Sequence, residues 1–588
     1  MHQVNAGQAI VDALIAEGVD HVFGMPGGHV LRIYDALHAT GSIKHVLVRH
    51  EQTAASMAAG YAQLTGRPGV CLVTAGPGAT NLLTGIAEAF VGCLPVVVLA
   101  GRGATLTARR GASQEVSTER IFEPVTKHAI RVDRADIISE VIREAFATAT
   151  CGRPGPVLVD LPVDVLEQDV PGGRYRPVGA PQRVRAAPEA IAVAAESLHR
   201  AQRPIIVAGG GATASDAGGE LVALAETLRA PVLTSLAGRG VISDAHPLSV
   251  GGLGTHRNPV SAGLLADADV VLSLGCRFEE METNWRPDAV PSPEATYIQV
   301  DIEPSEISRS VPAQVAVIGD VRAVVSQISA ALVERGVHWT PEWRTDPRVA
   351  AVVEAMSELE GAISRLAERQ DTPMHPLQII RAARRIFPTD AIVGFDVGAL
   401  AQQIAGAAPF FRVYEPRSTL VPSSFYGMGF VSGAMPVAGL VHPHRPALCF
   451  VGDGSFALAM AALPVAAEQR VGLTWCVLND GALGSIWDIQ QHLFDGRILD
   501  TTFDQAIDFA GLARACGCAG FACNAPEQVE EVLAQALAAN RERRPAVIDF
   551  AVSRERMLQS IEHWGFYPQA MASEARALLG RQPSPLQA

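Results

Sequence analysis

Two segments far apart in the chain carry residues that could act together on a phosphorylated ligand. The later segment, 452–480, opens with Gly-Asp-Gly-Ser and ends with Asn-Asp. Its glycines let the backbone approach an anion, and the helix predicted after them offers free N–H groups. Asp453, together with Asp480 at the end of the next predicted strand, supplies the oxygen ligands that Mg²⁺ prefers. The segment therefore predicts a divalent cation that holds a diphosphate.

The earlier segment, 50–70, places Glu51 directly after a strand-like run and at the start of a predicted helix. A lone Glu in this position is usually an acid that interacts favourably with the helix dipole. A carboxylate that is buried there could instead share a proton with a ring nitrogen of a ligand. The two segments together are typical of the two halves of one cofactor site.

Length and composition restrict the classes of protein that fit. A chain of 588 residues is too long for one core, and 48% hydrophobic with 18% charged residues is an ordinary globular balance. The net charge of −14, without a basic run, argues against nucleic acid and anionic membranes as partners. No stretch of about 18 apolar residues is present, and the N-terminus lacks the pattern of a signal peptide. Nine scattered cysteines favour free thiols and a cytoplasmic location.

Short β-branched runs alternate with amphipathic helices in three successive regions. This alternation predicts an α/β fold with three doubly wound parallel-sheet domains. The expected domains are 1–170, 188–335 and 373–553, followed by a tail at 554–588. The composition of 171–190, rich in Pro and Arg, predicts a linker.

The residues around Glu51, RHEQTAASMAAGYAQLTGRPGVCLVTAGPGATNLLTGIAEAF, resemble thiamine-diphosphate enzymes over about 40 positions. VFGMPGGHVLRIYDAL, GPVLVDLPVDV and LGCRFEE are most similar to the acetolactate (acetohydroxyacid) synthase large-subunit group. The resemblance covers nearly the whole chain. It implies an N-terminal pyrimidine-binding domain, a central Rossmann-like domain and a C-terminal domain that binds diphosphate and Mg²⁺. It also places the two half-sites on different subunits, so that a homodimer is the minimal active unit and a homotetramer is favoured.

The resemblance assigns roles to individual residues. Glu51 would activate the cofactor, Gln114 matches an active-site glutamine, and Met428 in YGMGF would wedge between the cofactor rings. The pyrimidine-binding positions are Thr74, Pro77 and Asn81. The diphosphate-binding positions are Gly398, Ala399, Gly452, Gly454, Ser455, Leu483 and Gly484. The metal ligands would be Asp453, Asp480 and the backbone carbonyl of Ala482, with Asp480 where most members carry Asn.

In the synthases the central domain binds FAD as a structural group, whereas related enzymes hold ADP there or nothing. Gly-rich turns after strands suit a dinucleotide pyrophosphate. The FAD positions implied here are Gly209, Gly210, Gly211, Gly254, Thr255, His256, Gly275, Arg277, Asp301, Glu306, Ile307 and Asp320. FAD, ADP and an empty pocket all remain open at this point.

Several positions depart from the synthase pattern. Met281 stands where the synthases carry the Arg that holds the second oxoacid, and Ile489 stands where they carry a substrate-selecting Trp, unless Trp487 fills that role. Val163 replaces a Lys. These losses indicate an acceptor other than 2-oxobutyrate. His29 falls where benzaldehyde-lyase-like enzymes carry an active-site His, and a His there could shuttle a proton.

The sequence therefore predicts a thiamine-diphosphate-dependent enzyme that makes or breaks a carbon–carbon bond in a 2-oxoacid or 2-hydroxyketone through an enamine. One alternative is a 2-hydroxyacyl-CoA lyase or aldehyde lyase, in which Arg109 and Arg110 could meet CoA phosphates. A non-catalytic nucleotide-binding regulatory protein is disfavoured because Glu51 and Asp453 are both present. An NAD-dependent dehydrogenase is disfavoured because the central region lacks a complete GxGxxG motif. The expected partners are small 2-oxoacids, aldehydes or acyl-CoA.

Overall fold

The computed structural model of the chain describes residues 3–172, 175–179, 182–286, 289–368 and 370–554. Three six-stranded sheets, each entirely parallel, form the centres of three successive α/β units. The predicted fold class is confirmed. The expected tail lies outside the described residues beyond Arg554.

The first sheet has the strand order β3-β2-β4-β5-β7-β6. Its chain neighbours β1 and β8 form a separate antiparallel pair. The strands of this region are β1 (Gln3–Asn5), β2 (His21–Gly24), β3 (Lys44–Leu47), β4 (Gly69–Val73), β5 (Val96–Arg102), β6 (His128–Arg131), β7 (Val157–Pro162) and β8 (Asp169–Pro171). Its α-helices are α1 (Ala6–Ala16), α2 (Leu31–Thr40), α3 (Glu51–Thr65), α4 (Pro77–Thr80), α5 (Leu83–Val91), α6 (Thr118–Phe122), α7 (Ile138–Thr150) and α8 (Val163–Leu166).

The second sheet has the strand order β11-β10-β9-β12-β13-β14. Its strands are β9 (Pro204–Ala208), β10 (Val232–Thr234), β11 (Ser249–Gly252), β12 (Val270–Leu274), β13 (Thr296–Asp301) and β14 (Val315–Ile318). The helices are α9 (Pro188–Arg200), α10 (Gly210–Ala214), α11 (Gly218–Leu228), α12 (Pro259–Asp267), α13 (Glu280–Thr283) and α14 (Val321–Glu334), and α15 (Pro347–Ala367) follows before the third unit.

The third sheet has the strand order β16-β15-β17-β18-β20-β19. Its strands are β15 (Ile392–Phe395), β16 (Thr419–Leu420), β17 (Ala447–Gly452), β18 (Leu473–Asn479), β19 (Ala519–Cys523) and β20 (Ala546–Ala551). The α-helices are α16 (Pro376–Ile386), α17 (Phe430–Ala434), α18 (Pro436–Val441), α19 (Asp453–Ala459), α20 (Ala462–Gln469), α21 (Gly484–Leu493), α22 (Phe509–Ala515) and α23 (Val529–Arg541), and a π-helical segment spans Ala399–Ala405.

The first and third units share one apolar core. Helix α3 packs against α17 and α18, and a Cβ built on Gly60 would lie 3.0 Å from the Cβ of Ala434, so the helix backbones approach closely. At the edge of this contact, Arg49 pairs with Glu468 at 2.6 Å. The segment that begins at Glu51 is therefore fixed between two sheets.

All nine cysteines are free, as expected, although Cys151 is exposed. The structure also contains strands that the sequence patterns did not predict, including β1, β6 and β16. These are short strands at sheet edges or in a separate two-stranded pair, where the apolar signal is weak. Within the described residues, every helix is too short or too polar to pass through a membrane.

Candidate active site

Glu51 is the first residue of α3 and lies at the carboxyl end of the first sheet. His50 caps the helix, since its backbone is extended and its ring accepts a hydrogen bond from the Gln52 N–H at 3.1 Å. The Glu51 carboxylate is only 4% exposed. Its Oε2 accepts a hydrogen bond from Asn81 Nδ2 at 2.8 Å. The structure thus brings together two residues that were predicted separately, Glu51 and Asn81, and the Asn81 amide orients the carboxylate.

Thr74 connects this pair to His29. The His29 Nδ1 lies 3.2 Å from the Thr74 hydroxyl. A Cβ on Gly27 would lie 2.4 Å from the Thr74 Cβ, so only glycine fits there and the loop carrying His29 presses directly on Thr74. A Cβ on Gly78 would lie 3.5 Å from Glu51 Oε1, which places the carboxylate in the same pocket.

Gln114 reaches this pocket through its backbone. It has a left-handed conformation, with φ 63°, and its side chain is exposed. Its carbonyl oxygen would lie 2.7 Å from a Cβ on Gly76, immediately before the exposed Pro77. Arg109 and Arg110 lie on the same loop and are exposed. The predicted glutamine therefore borders the turn at Gly76, and its side chain is exposed.

Asp453 begins α19 directly after β17 and is 3% exposed. Burial, and the negative charge of neighbouring Asp480, raise the pKa of the Asp453 carboxyl to about 7. The backbone N–H groups of Gly454, Gly481 and Ala482 oppose this shift. Two neighbouring carboxylates, one buried and one half-buried, suit a divalent cation, which would neutralise both.

The loop after β18 is fixed on both sides. Leu483 donates its N–H to the Thr501 carbonyl at 2.9 Å. On the other side, the Arg554 guanidinium donates to the carbonyls of Asp480 at 3.0 Å and Gly481 at 3.2 Å. Arg554 also stacks over Trp487, with its Cζ 5.4 Å from the ring centroid. Ile489, by contrast, is buried at 3% exposure.

Open space lies around the start of α19. A Cβ on Gly398 or on Gly452 would meet no atom within 4 Å, and Gly398 has φ 144°, a conformation that favours glycine. Ser455 joins these two turns by donating its hydroxyl to the Val397 carbonyl at 2.8 Å. Next to Asp453, a Cβ on Gly454 would lie 2.8 Å from Leu483 Cδ2 and 3.6 Å from Met428 Cε. Five of the predicted diphosphate residues thus lie around one open space, here called the cradle, with Met428 next to Gly454; they are Gly398, Gly452, Gly454, Ser455 and Leu483.

The residues predicted for FAD divide into backbone turns and occupied side chains. A Cβ on Gly209 would lie 2.1 Å from the Gly275 carbonyl oxygen, so these turns are packed together. Glu306, however, accepts from Arg153 at 2.6 Å and lies near Arg277, and Asp320 caps α14 through the Ala323 N–H. The Glu306 and Asp320 side chains therefore already have protein partners.

Met281, which stands in place of the Arg expected from the resemblance, faces the third unit. Its backbone oxygen accepts from the Thr255 hydroxyl at 3.2 Å, and its sulfur contacts the Tyr426 hydroxyl. Tyr426 lies two residues before Met428, so the central unit touches the loop that carries the predicted wedge.

Sequence reasoning missed two residues that contact this site. Glu88 on α5 is 1% exposed and accepts the N–H groups of Ser423 and Gly427. Arg554 donates to the loop after β18, as described above. The only signal for Glu88 was a charged residue within the apolar run of α5. Among the described residues, no hydrogen bond joins Glu51 or Asn81 to Asp453 or Met428 of the same chain.

Three family models match the chain in the order of its three sheets. They are the thiamine pyrophosphate enzyme N-terminal TPP binding domain over residues 4–121, the central domain over 191–328 and the C-terminal TPP binding domain over 396–550.

Curated relatives match over most of their length and most of this chain. A probable acetolactate synthase large subunit of Methanocaldococcus jannaschii is 32% identical, covering 96% of this chain and 94% of the relative. The acetolactate synthase isozyme 3 large subunit of Escherichia coli is 34% identical, covering 94% and 95%. An acetolactate synthase of Mycobacterium bovis is 35% identical, covering 94% and 89%.

Proposed function

The chain belongs to the thiamine pyrophosphate enzyme family, and we propose that it is an acetolactate-synthase-like carboligase that joins two molecules of a pyruvate-like 2-oxoacid with loss of CO₂. The observation that carries this proposal is the buried Glu51 carboxylate held by Asn81. A carboxylate in that position can exchange a proton with a pyrimidine nitrogen, which is the activation that this cofactor needs.

Thiamine diphosphate, when bound, supplies an electron sink for the carbon that loses CO₂. Overall, the bond from the carbonyl carbon to the carboxylate breaks, and its electron pair forms a new bond to the carbonyl carbon of the second oxoacid. The oxygen of that second carbonyl takes up a proton. Glu51 holds or releases a proton at the pyrimidine, and Asn81 keeps the carboxylate oriented for this exchange.

His29 is proposed to move protons at the substrate. Its Nδ1 is engaged with the Thr74 hydroxyl, and its other ring nitrogen has no hydrogen-bond partner among the described residues. An imidazole that is fixed through one nitrogen can exchange a proton through the other. The Gln114 side chain, which is exposed beside the same turn, is proposed to orient substrate oxygens.

Mg²⁺ is proposed to be held by Asp453, Asp480 and the carbonyl of Ala482. The fit of these residues is supported by two neighbouring carboxylates, whose mutual repulsion a cation would remove, and by the open cradle at Gly398 and Gly452. Oxygen donors of this kind suit Mg²⁺, which would anchor the diphosphate. Its role is to fix the cofactor, without direct contact to the substrate carbonyl.

The acceptor is proposed to differ from 2-oxobutyrate. Met281 offers no charge to a second carboxylate, and its sulfur is in contact with Tyr426. An acceptor with a small side chain, such as a second pyruvate, needs less selection than a longer oxoacid. In the central unit, FAD is proposed as a structural group bound through the glycine turns, and the flavin absorbance of purified protein would distinguish it from ADP or an empty pocket.

The completed site is proposed to need two copies of the chain. Within one chain, the Glu51 pocket is not joined by hydrogen bonds to Asp453 or Met428 among the described residues. A symmetric dimer places the same two surfaces against each other twice and can therefore build two identical sites.

Turnover of pyruvate by the purified protein with thiamine diphosphate and Mg²⁺ tests the proposal. We expect release of CO₂ and formation of acetolactate by the wild type, and loss of both with Glu51→Gln. Bound cofactor without turnover of pyruvate would contradict the proposed donor and direct attention to 2-hydroxyketones, aldehydes and 2-hydroxyacyl-CoA.

A further inference from the structure

A buried carboxylate from the first unit holds the loop that leads into Met428. Glu88 lies on α5, with 1% of its surface exposed. Its Oε2 accepts the Gly427 N–H at 2.9 Å, and its Oε1 accepts the Ser423 N–H. Both ends of the Ser423–Gly427 loop therefore donate to one carboxylate, which belongs to the first unit.

The loop needs such a restraint because its backbone is not in a relaxed conformation. Tyr426 adopts φ 61°, which is uncommon for a residue with a side chain. Gly427 also approaches Glu88 tightly, since a Cβ there would lie 3.0 Å from Glu88 Oε2. Strained loop conformations persist only where surrounding contacts fix them.

The central unit fixes the same loop from the other side. Glu279 accepts the Ser424 hydroxyl at 2.6 Å and pairs with Arg277 at 3.1 Å. Arg277 in turn donates to the Val91 carbonyl at the end of α5, at 3.0 Å. Glu88 and Glu279 are thus linked through α5 and enclose the loop between them.

We propose that Glu88 is a positioning residue that holds the Ser423–Gly427 loop so that Met428 stays over Gly454, against the bound cofactor. Met428 Cε lies 3.6 Å from the Cβ position of Gly454, next to Asp453, so a shift of the loop moves Met428 across the cofactor cradle. Among the described residues, no hydrogen bond joins Glu88 to Glu51 or Asp453, whereas two join it to the loop. This inference rests on the proposed function of the site.

Glu88→Gln is the informative substitution because it keeps the shape of the side chain. One carboxylate oxygen becomes an NH₂ group. The buried backbone N–H that faces it, from Ser423 or Gly427, then meets a second donor and loses its acceptor. A donor left unpaired in this way weakens the attachment of the loop substantially. We expect kcat to fall about tenfold or more, with Kd for Mg²⁺ and thiamine diphosphate changed by less than about threefold. The circular dichroism signal of the bound cofactor should change, because the rings are no longer held in one relative orientation.

Glu468→Gln is the matched control. Glu468 also joins the first and third units, through Arg49 at 2.6 Å, but lies away from the loop. Its substitution should leave kcat and the cofactor signal unchanged. If Glu88→Gln does not fold, Glu88→Asp withdraws the carboxylate while keeping its charge, and is measured in the same way.

A wild-type cofactor signal and kcat in folded Glu88→Gln, or in Glu88→Asp where it serves as the substitute, would overturn the positioning role. A loss of thermal stability alone would do the same. Absence of cofactor binding or turnover in the wild type would instead overturn the proposed function, so the two failures are distinguishable.

Discussion

The two half-sites differ in the groups that surround their carboxylates. In the N-terminal half-site, Glu51 is paired with the neutral amide of Asn81, and His29 with the hydroxyl of Thr74. In the C-terminal half-site, Asp453 lies beside Asp480, and the two charges repel. The first is preorganised by side-chain hydrogen bonds within one domain, whereas in the second the backbone N–H groups offset only part of the effect of burial and of the neighbouring charge on Asp453.

This difference predicts different consequences for the two halves. A change in the N-terminal half-site should impair the chemical step while the cofactor still binds. A change in the C-terminal half-site should impair cofactor binding first, because its side chains are proposed to hold the cation that would anchor the diphosphate. Each of the following variants sharpens or breaks this contrast.

The largest effect is expected from Glu51→Gln. The amide keeps the shape of the side chain but cannot exchange a proton, so kcat should fall about 10²- to 10⁴-fold. Calorimetric titration with thiamine diphosphate and Mg²⁺ should give a nearly unchanged Kd. A loss of cofactor binding that matches the loss of activity would contradict the division of roles.

Asp453→Ala should have the next largest effect. Removal of a charged ligand is expected to raise the apparent Kd for Mg²⁺ and thiamine diphosphate about tenfold or more. At saturating cofactor, much of kcat should return, which is the opposite of the behaviour expected for Glu51→Gln. Failure of excess cofactor to rescue any activity would argue that Asp453 also acts in the chemical step.

The affinity for Mg²⁺ should depend on pH because the pKa of Asp453 is raised to about 7 by burial and by Asp480. Below that pH the carboxyl holds a proton, which the metal must displace, so the apparent affinity should fall by up to about tenfold per pH unit. Asp480→Asn removes the neighbouring charge and lowers the pKa of Asp453. Between pH 6 and 8, the slope of log Kd for Mg²⁺ against pH should then become shallower, by about one log unit per pH unit or less. An unchanged pH profile in this variant would show that another group controls it.

Arg554→Ala should have the smallest effect. It removes two hydrogen bonds to the carbonyls of Asp480 and Gly481. These bonds hold the loop after β18. We expect an apparent Kd for Mg²⁺ about three- to tenfold higher, with partial recovery in Arg554→Lys. An Mg²⁺ titration followed by protein fluorescence measures this, since Trp487 lies under the guanidinium. Equal affinity in the alanine variant and the wild type would remove Arg554 from the site.

The residues predicted from sequence are those fixed by local strand–turn–helix patterns. Glu51 begins α3, and Asp453 begins α19, because each follows a buried strand and is placed at the carboxyl edge of its sheet. The contacts of Glu88 could not be predicted in this way, since Glu88 and Ser423 are 335 residues apart in the chain. Arg554 was likewise missed, because it approaches the metal loop from beyond β20.

The same reasoning explains why the acceptor pocket was only partly predicted. The sequence pattern showed that Met281 replaces a positively charged Arg. The contact of Met281 with Tyr426, however, depends on how two domains pack. Similarly, the alignment with the synthases did not decide whether Ile489 or Trp487 occupies the position of the substrate-selecting Trp. In the structure Ile489 is buried, and Trp487 stacks under Arg554.

Mixing two inactive variants tests most directly whether the two half-sites form one active site across subunits. Glu51→Gln and Asp453→Ala chains would be dissociated, mixed in equal amounts and allowed to reassociate. At a cofactor concentration too low to rescue Asp453→Ala, random pairing predicts about one quarter of wild-type activity, because half of the dimers contain one intact pair of half-sites. Acetolactate formation near that level is the predicted result. A mixture no more active than either variant alone would contradict a site shared between two chains.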